Sequence, residues 1–170
     1  MDGIILGIDP GTRVTGYGVV AVTGGQVSCV DYGVIAPPNR FSLAKRVGFI
    51  NQGLENLYQT HHPCHTAIEK VFFGKNPEVA FKLGHIFALC LLQSQKNGSE
   101  FFEYSARFIK KSITSSGRAS KEWTRQFVNN VFSLKEQKAL DATDALAVAL
   151  CHCRELQALQ IQSKILESAG

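Results

Sequence analysis

Gly3-Ile4-Ile5-Leu6-Gly7-Ile8-Asp9-Pro10-Gly11 is the stretch on which the fold turns. An unbroken apolar run stopped by a Pro-Gly turn reads as a strand buried on both faces, since alternation appears only where one face meets water. Asp9 stands at the carboxyl end of that run, where a charge emerging from a buried strand is costly unless it is paired or metal-bound. Open α/β sheets place their chemistry at that end of their strands.

Working outward, residues 14–23 and 26–36 are β-rich runs separated by Gly24-Gly25, a hairpin signal, and Pro37-Pro38-Asn39 then breaks the sheet. Leu43, Val47, Ile50, Leu54, Leu57 and Tyr58 share one helical face and predict a helix over 42–60. Gly48 and Gly53 weaken its propensity, so packing must hold it. Thr66-Ala67-Ile68 predicts a short strand ending at Glu69. A long helix precedes it, so that strand runs parallel to one already in the sheet. Asn76-Pro77-Glu78 starts a helix that Val79, Ala80, Leu83, Ile86, Phe87 and Cys90 carry towards Gln95. Residues 100–104 give a last strand, 105–113 receive no element, and 114–117 are a polar break. Ser120 caps a helix through about 132, and a final helix begins near Asp141 and runs past Leu150. The pattern is one α/β domain over residues 1–160, with 161–170 expected as a frayed tail.

Composition agrees. With 45% hydrophobic and 19% charged residues in 170, the chain has globular composition and is long enough to bury a core without staples. No apolar run reaches the length of a membrane span and no basic leader opens the sequence, so neither a membrane protein nor a secreted one is expected. Cys29, Cys64, Cys90, Cys151 and Cys153 are an odd number with no C-x-x-C pair, which points to a reducing cytoplasm. Net charge is only +4, yet Arg107, Lys110, Lys111, Arg118, Lys121 and Arg125 crowd one stretch against Glu122 alone. That suits a polyanion partner, although on charge alone a solvated face is the simpler account.

Three further carboxylates join Asp9. Glu69 follows its own apolar strand, and Asp141 and Asp144, three apart at a helix start, project from one face. Singly each has a mild explanation, as a turn or a helix-dipole partner. Together they leave elements that share one sheet end, with no Lys or Arg between Lys138 and Arg154 to neutralise the helix pair locally. Four carboxylates without a His or Cys pattern suit hard, oxygen-preferring cations, Mg²⁺ or Mn²⁺. Two such ions about 3.5–4 Å apart form a clamp for in-line phosphoryl displacement. With these acids facing metal, 18 basic side chains stand against ten of the 14 acidic ones, and the rest of the surface is far more basic than +4 suggests.

Gly7-Ile8-Asp9-Pro10-Gly11-Thr12-Arg13-Val14-Thr15-Gly16-Tyr17-Gly18 resembles the opening motif of RuvC-type Holliday-junction resolvases. Ala67-Ile68-Glu69-Lys70-Val71-Phe72, then Lys75-Asn76 and Lys82-Leu83-Gly84, resemble that family's second block. Phe102-Glu103-Tyr104, Lys110, Lys121 and Asp141-Ala142-Thr143-Asp144-Ala145-Leu146-Ala147 match the rest in order, over residues 3–155. The resemblance implies an RNase H-like fold, a mixed central sheet flanked by helices. It implies a homodimer that nicks four-way DNA junctions in recombination and repair, with two Mg²⁺ per subunit, and a branch-migration motor of the RuvA and RuvB type as partner. It makes Asp9, Glu69, Asp141 and Asp144 the catalytic metal ligands, places Phe72 at the junction centre stacked on a base, and puts Lys110 and Lys121 on phosphate near the scissile bond. Lys75, Lys111, Arg118 and Arg125 are carried as further DNA contacts. The chain departs from the family pattern at Ser115-Ser116-Gly117, at Trp123-Thr124 and at Phe87-Ala88.

Rival readings fare worse. A sugar-kinase-type ATPase shares the Asp-x-Gly-Thr loop but needs two such domains around its nucleotide. An inactive junction-binding scaffold leaves crowded like charges without an offsetting cation. An RNA-directed nuclease of the same fold differs in substrate rather than in chemistry. His61, His62, Cys64 and His65 look like a zinc cluster, but a short loop without a second ligand group lacks four convergent donors. Cys151-His152-Cys153 lies on a helix, where such near neighbours face apart, and reads as packing.

Overall fold

The computed structural model describes residues 2–70, 76–114, 117–134 and 139–168. Its strands are β1 (Gly3–Asp9), β2 (Thr15–Thr23), β3 (Gln26–Ile35), β4 (His65–Glu69) and β5 (Glu100–Tyr104). The helices are α1 (Leu43–His61), α2 (Pro77–Lys96), α3 (Ala106–Thr114), α4 (Lys121–Phe132) and α5 (Leu140–Ser168). The sheet runs β3-β2-β1-β4-β5. Its first three strands form an antiparallel meander, while β4 lies parallel to both β1 and β5.

The apolar run of β1 is explained by what covers it. Ile5 packs towards α5, whereas Leu6 and Ile8 pack into a second core with Ile50, Leu54 and Tyr58 of α1 and Ile86 and Cys90 of α2. Both faces of the strand are dry, so period-two alternation is lost. The two predicted caps are made, Asn76 accepting from the Glu78 and Val79 N–H groups and Ser120 from Trp123, while Ser42, expected as the first residue of its helix, caps it by accepting from the Lys45 N–H.

Two elements depart from the sequence reading. Residues 106–114 form α3, buried through Ile109 and Ile113, and that four-residue spacing was its signal. Helix α5 takes in residues 161–168, where a frayed tail was expected. Ile161, Ile165 and Leu166 are nonetheless exposed there.

Glycines decide how closely α5 lies on the sheet. Gly7 of β1 pairs with Gly18 of β2, and Asp9 pairs with Gly16. A Cβ at Gly7 would overlap the Ala145 carbonyl, one at Gly16 the Asp141 carbonyl, and one at Gly18 would come within 2.8 Å of the Leu146 nitrogen. These bare positions let the backbone of α5 rest directly on β1 and β2, which brings the first turn of the helix beside the end of β1.

Candidate active site

Asp9 ends β1, Glu69 ends β4, and Asp141 and Asp144 occupy the start of α5. Because β1 and β4 are adjacent and parallel, their carboxyl ends fall side by side. All four acids are partly buried. Burial pushes the Asp9 carboxyl up to about 7, with the negative charges of Glu69, Asp144 and Asp141 adding to it and Lys121 opposing. Glu69 is raised by burial and by Asp144, against Lys121 and Lys110. Asp9 and Glu69 thus stand in burial and among like charges that the nearby lysines offset only in part.

The basic residues divide. Lys110 from α3 and Lys121 from α4 line a cleft with Glu69, Thr124 and Asp144. The Lys121 ammonium stands 3.9 Å from Asp144 Oδ2. Lys111 and Arg118 are exposed outside this cleft. Arg125 behaves differently from the DNA-backbone contact expected of it. One helical turn beyond Lys121, it turns inward, its Nη2 lying 3.3 Å from Asp144 Oδ2, and both side chains are about four-fifths buried. Its Nε is buried without a partner among the described residues. Phe72 and Lys75 lie outside the described residues.

The acids suit a hard divalent cation: four oxygen donors, negative charge in excess, and no thiolate or imidazole in the cluster. As the described side chains lie, no three such groups close around one point. Asp144 instead faces Lys121 and Arg125. Asp9, Glu69, Asp141 and Asp144 are the residues that would hold the ion.

The histidines and cysteines scatter to other partners. His61 pairs with Asp31, the Cys64 thiol reaches the Ile4 carbonyl, and His65 bonds His152. His152 is itself buried, with its other nitrogen on the Tyr104 hydroxyl, a role for which 87 residues of separation gave no sequence signal. Thr124 as a cleft wall and the inward turn of Arg125 were also missed, although the four-residue spacing of Lys121 and Arg125 placed both on one face of α4.

A mixed five-stranded sheet with carboxylates at the ends of its two central parallel strands, completed by a helix across the sheet, defines an RNase H-like nuclease. Comparison with known proteins is specific. The family model for "Crossover junction endodeoxyribonuclease RuvC" matches residues 5–152. Proteins of that name from Bdellovibrio bacteriovorus and Legionella pneumophila are each 37% identical to the chain, over 91% and 98% of it and over 92% and 94% of their own lengths. The solved structure of "T. thermophilus RuvC in complex with Holliday junction substrate" superposes with a TM-score of 0.84 at 27% identity, covering 92% of this chain and 96% of that one. The chain belongs to the RuvC family of crossover junction endodeoxyribonucleases.

Proposed function

We propose that this protein resolves four-way DNA junctions by paired symmetric nicks, using two Mg²⁺ per subunit held by Asp9, Glu69, Asp141 and Asp144. The observation that carries the reading is the convergence of four partly buried carboxylates where the adjacent parallel strands β1 and β4 end beside the first turn of α5. Burial first, and the neighbouring acids with it, push the Asp9 carboxyl up to about 7, so an ionised Asp9 there is unfavourable unless a cation offsets it. Bound there, the ions supply Lewis-acid activation of water and of the leaving oxygen. The protein's own part is to hold the acids at one sheet end, to lose the Asp9 proton when the cation enters, and to draw the phosphate in with Lys110 and Lys121. The bared glycines of β1 and β2 serve positioning, since they fix where α5 delivers Asp141 and Asp144.

Paired nicks ask for two sites related by two-fold symmetry, and a homodimer supplies them. Helix α2 supports that arrangement: Phe81, Gly84, Ala88, Leu91 and Leu92 leave an exposed, largely apolar stripe at helical spacing. We assign the nuclease domain to residues 1–160. Family membership supports a RuvA- and RuvB-type motor as partner, and a chromosomal DNA junction as substrate supports a cytoplasmic site of action.

The test is cleavage of a labelled, mobile four-way junction in Mg²⁺, beside linear duplex and RNA–DNA hybrid, for the wild type and Asp9→Asn. Paired nicks on the junction, lost in the variant, are expected. Binding without cleavage in Mg²⁺ and Mn²⁺ would leave a scaffold, and preference for the hybrid would leave an RNA-directed nuclease. Sedimentation of Phe81→Glu, expected as a monomer, checks the dimer face.

A further inference from the structure

Asp141 and Asp144 sit on one short ridge, the first turn of α5, yet they look into different spaces. Asp144 lines the cleft that holds Lys110 and Lys121. Asp141 lines a separate groove between the β1–β2 loop, the start of α1 and the start of α2. The cationic side chains of that groove are Arg13, Arg46 and Lys82, and Asp141 is the one carboxylate among its described lining residues. At about 690 Å³ it is several times the Lys110–Lys121 cleft, about 110 Å³, and is as large as a full ligand-binding site of ~300–1000 Å³. A single bound ion does not need such a space.

The three cations are held in different ways. Arg13 is exposed on the loop that follows Asp9. Arg46 is fixed by donating Nε–H to the Phe41 carbonyl at 3.0 Å and Nη2–H to the Asn39 carbonyl at 2.8 Å. With five donors on the guanidinium, further N–H groups remain on a side chain whose position is already set. Lys82 is ion-paired with Glu78 one turn back on α2. That pair is solvent-exposed, so exchanging the carboxylate for a phosphate costs little.

We propose that this groove is a second phosphate-binding track for the DNA substrate, on the far side of the acidic cluster from Lys110 and Lys121. The assignment rests on the resolvase reading and names where its substrate continues. A strand crossing the ridge of Asp9, Asp141 and Asp144 leaves the Lys110–Lys121 cleft on one side and enters the Arg13–Lys82 groove on the other. Basic contacts on both sides hold the backbone taut over the acids, and they offset the repulsion those acids exert on phosphate. The chemistry is sequence-independent, because such contacts position the duplex without reading its bases.

The experiment is fluorescence anisotropy of a four-way DNA junction in EDTA, where no cleavage occurs, across a series of KCl concentrations. The wild type is compared with an Arg13→Gln/Lys82→Gln double variant and with the charge-keeping Arg13→Lys/Lys82→Arg. Loss of two phosphate contacts makes the slope of log K against log salt shallower by about 1.4–1.8, from ~0.7 per contact on single strands and ~0.9 on duplex. The charge-keeping variant should restore most of the wild-type slope at an unchanged melting temperature. An unaltered slope and affinity in the double glutamine variant would sink the proposal. So would a weakened dimer on sedimentation with the slope intact, which would give the groove to a second copy of the chain. Should the wild type itself fail to prefer the junction over linear duplex, the resolvase reading falls, while the slope difference still reports on the groove.

Discussion

Gly16 and Asp141 touch backbone to backbone: a Cβ on Gly16 would overlap the Asp141 carbonyl oxygen. Gly16 is also the β2 partner of Asp9. One bare position thus ties the end of the first strand to the start of the last helix. The distance between two of the four acids is set by the absence of a side chain.

Gly16→Ala should therefore act on catalysis before it acts on folding. The methyl group has to push the first turn of α5 off the sheet, at about 1–3 kcal/mol for overpacking. That corresponds to a melting temperature lower by roughly 2–10 °C in a chain of this size. Cleavage of a four-way junction should fall by about 10²-fold or more, since shifts of ~1 Å at a reacting centre cost that much. A variant that cuts at the wild-type rate would show that Asp141 does not need this seat.

Much of this geometry is legible in the sequence, for physical reasons that differ by element. The β1 run announces a doubly covered strand, and Asp9 and Glu69 stand where apolar runs end, so the site's position follows from burial alone. Asp141 and Asp144 are legible because a spacing of three means one helical face. Helix α3 is harder, since only Ile109 and Ile113 are buried and Lys110 and Lys111 interrupt the pattern. The inward turn of Arg125 is not readable as such: its target, Asp144, lies 19 residues away on another helix, and only packing brings the two together. The glycines of β1 and β2 look like weak strand residues until α5 is placed on them.

The raised Asp9 carboxyl gives the site a signature in stability. Its ordinary value is 3.8 and it stands at about 7, so the folded protein holds this proton more tightly than the unfolded chain. Ionising it opposes folding, fully above pH 7, and the penalty fades as pH falls from 7 towards 4. In EDTA at pH 8, Asp9→Asn should be more stable than the wild type by roughly 1–3 kcal/mol, and the gap should close near pH 4. Mg²⁺ should raise the wild-type melting temperature and leave that of the variant nearly unmoved. Because the cation must displace the proton, the Mg²⁺ concentration for half-maximal cleavage should rise below pH 7, by up to about tenfold per pH unit. A flat Mg²⁺ requirement between pH 6 and 8 would contradict the cluster's coupling.

Arg125 and Lys121 both reach Asp144, but the partly buried Arg125 is tied to the site and the exposed Lys121 is open to DNA. Arg125→Gln should lower stability in EDTA by about 1–3 kcal/mol, because it strips a largely buried carboxylate of its nearer partner. Junction affinity and its salt slope should hardly change. Lys121→Gln should do the reverse, leaving stability within about 0.5 kcal/mol and making the slope shallower by roughly 0.7–0.9. Anisotropy and thermal melts on the two variants distinguish a charge that organises the acids from one that meets phosphate. Equal effects on affinity would return Arg125 to the DNA surface.

Behind the site, Tyr104, His152 and His65 form a buried chain. The Tyr104 hydroxyl lies 2.7 Å from His152 Nδ1, His152 Nε2 lies 2.7 Å from His65 Nδ1, and His65 Nε2 faces Glu100 at 3.9 Å. With both rings neutral, every group donates once in the same direction: tyrosine to His152, His152 to His65, His65 towards Glu100. Protonating His152 puts a proton on Nδ1, which removes the acceptor for Tyr104, and it places a buried positive charge beside His65. Burial, with His65 adding to it, accordingly holds His152 down at about 4, against an ordinary 6.5. The unfolded chain therefore binds this proton first. The stability the chain confers is complete above pH 6.5 and is lost as pH falls through 4. Between pH 7 and pH 5 the loss from one such group is about 2 kcal/mol. Asp9 and Glu69 pull the other way over the same range, so the measurement has to be a difference. Urea unfolding of the wild type and His152→Gln should show the variant weaker at pH 7 by about 1–3 kcal/mol, from its lost hydrogen bonds. The wild-type advantage should shrink by about 2 kcal/mol at pH 5, and a gap that stays constant would mean that His152 takes up its proton in the folded protein as readily as in the unfolded chain.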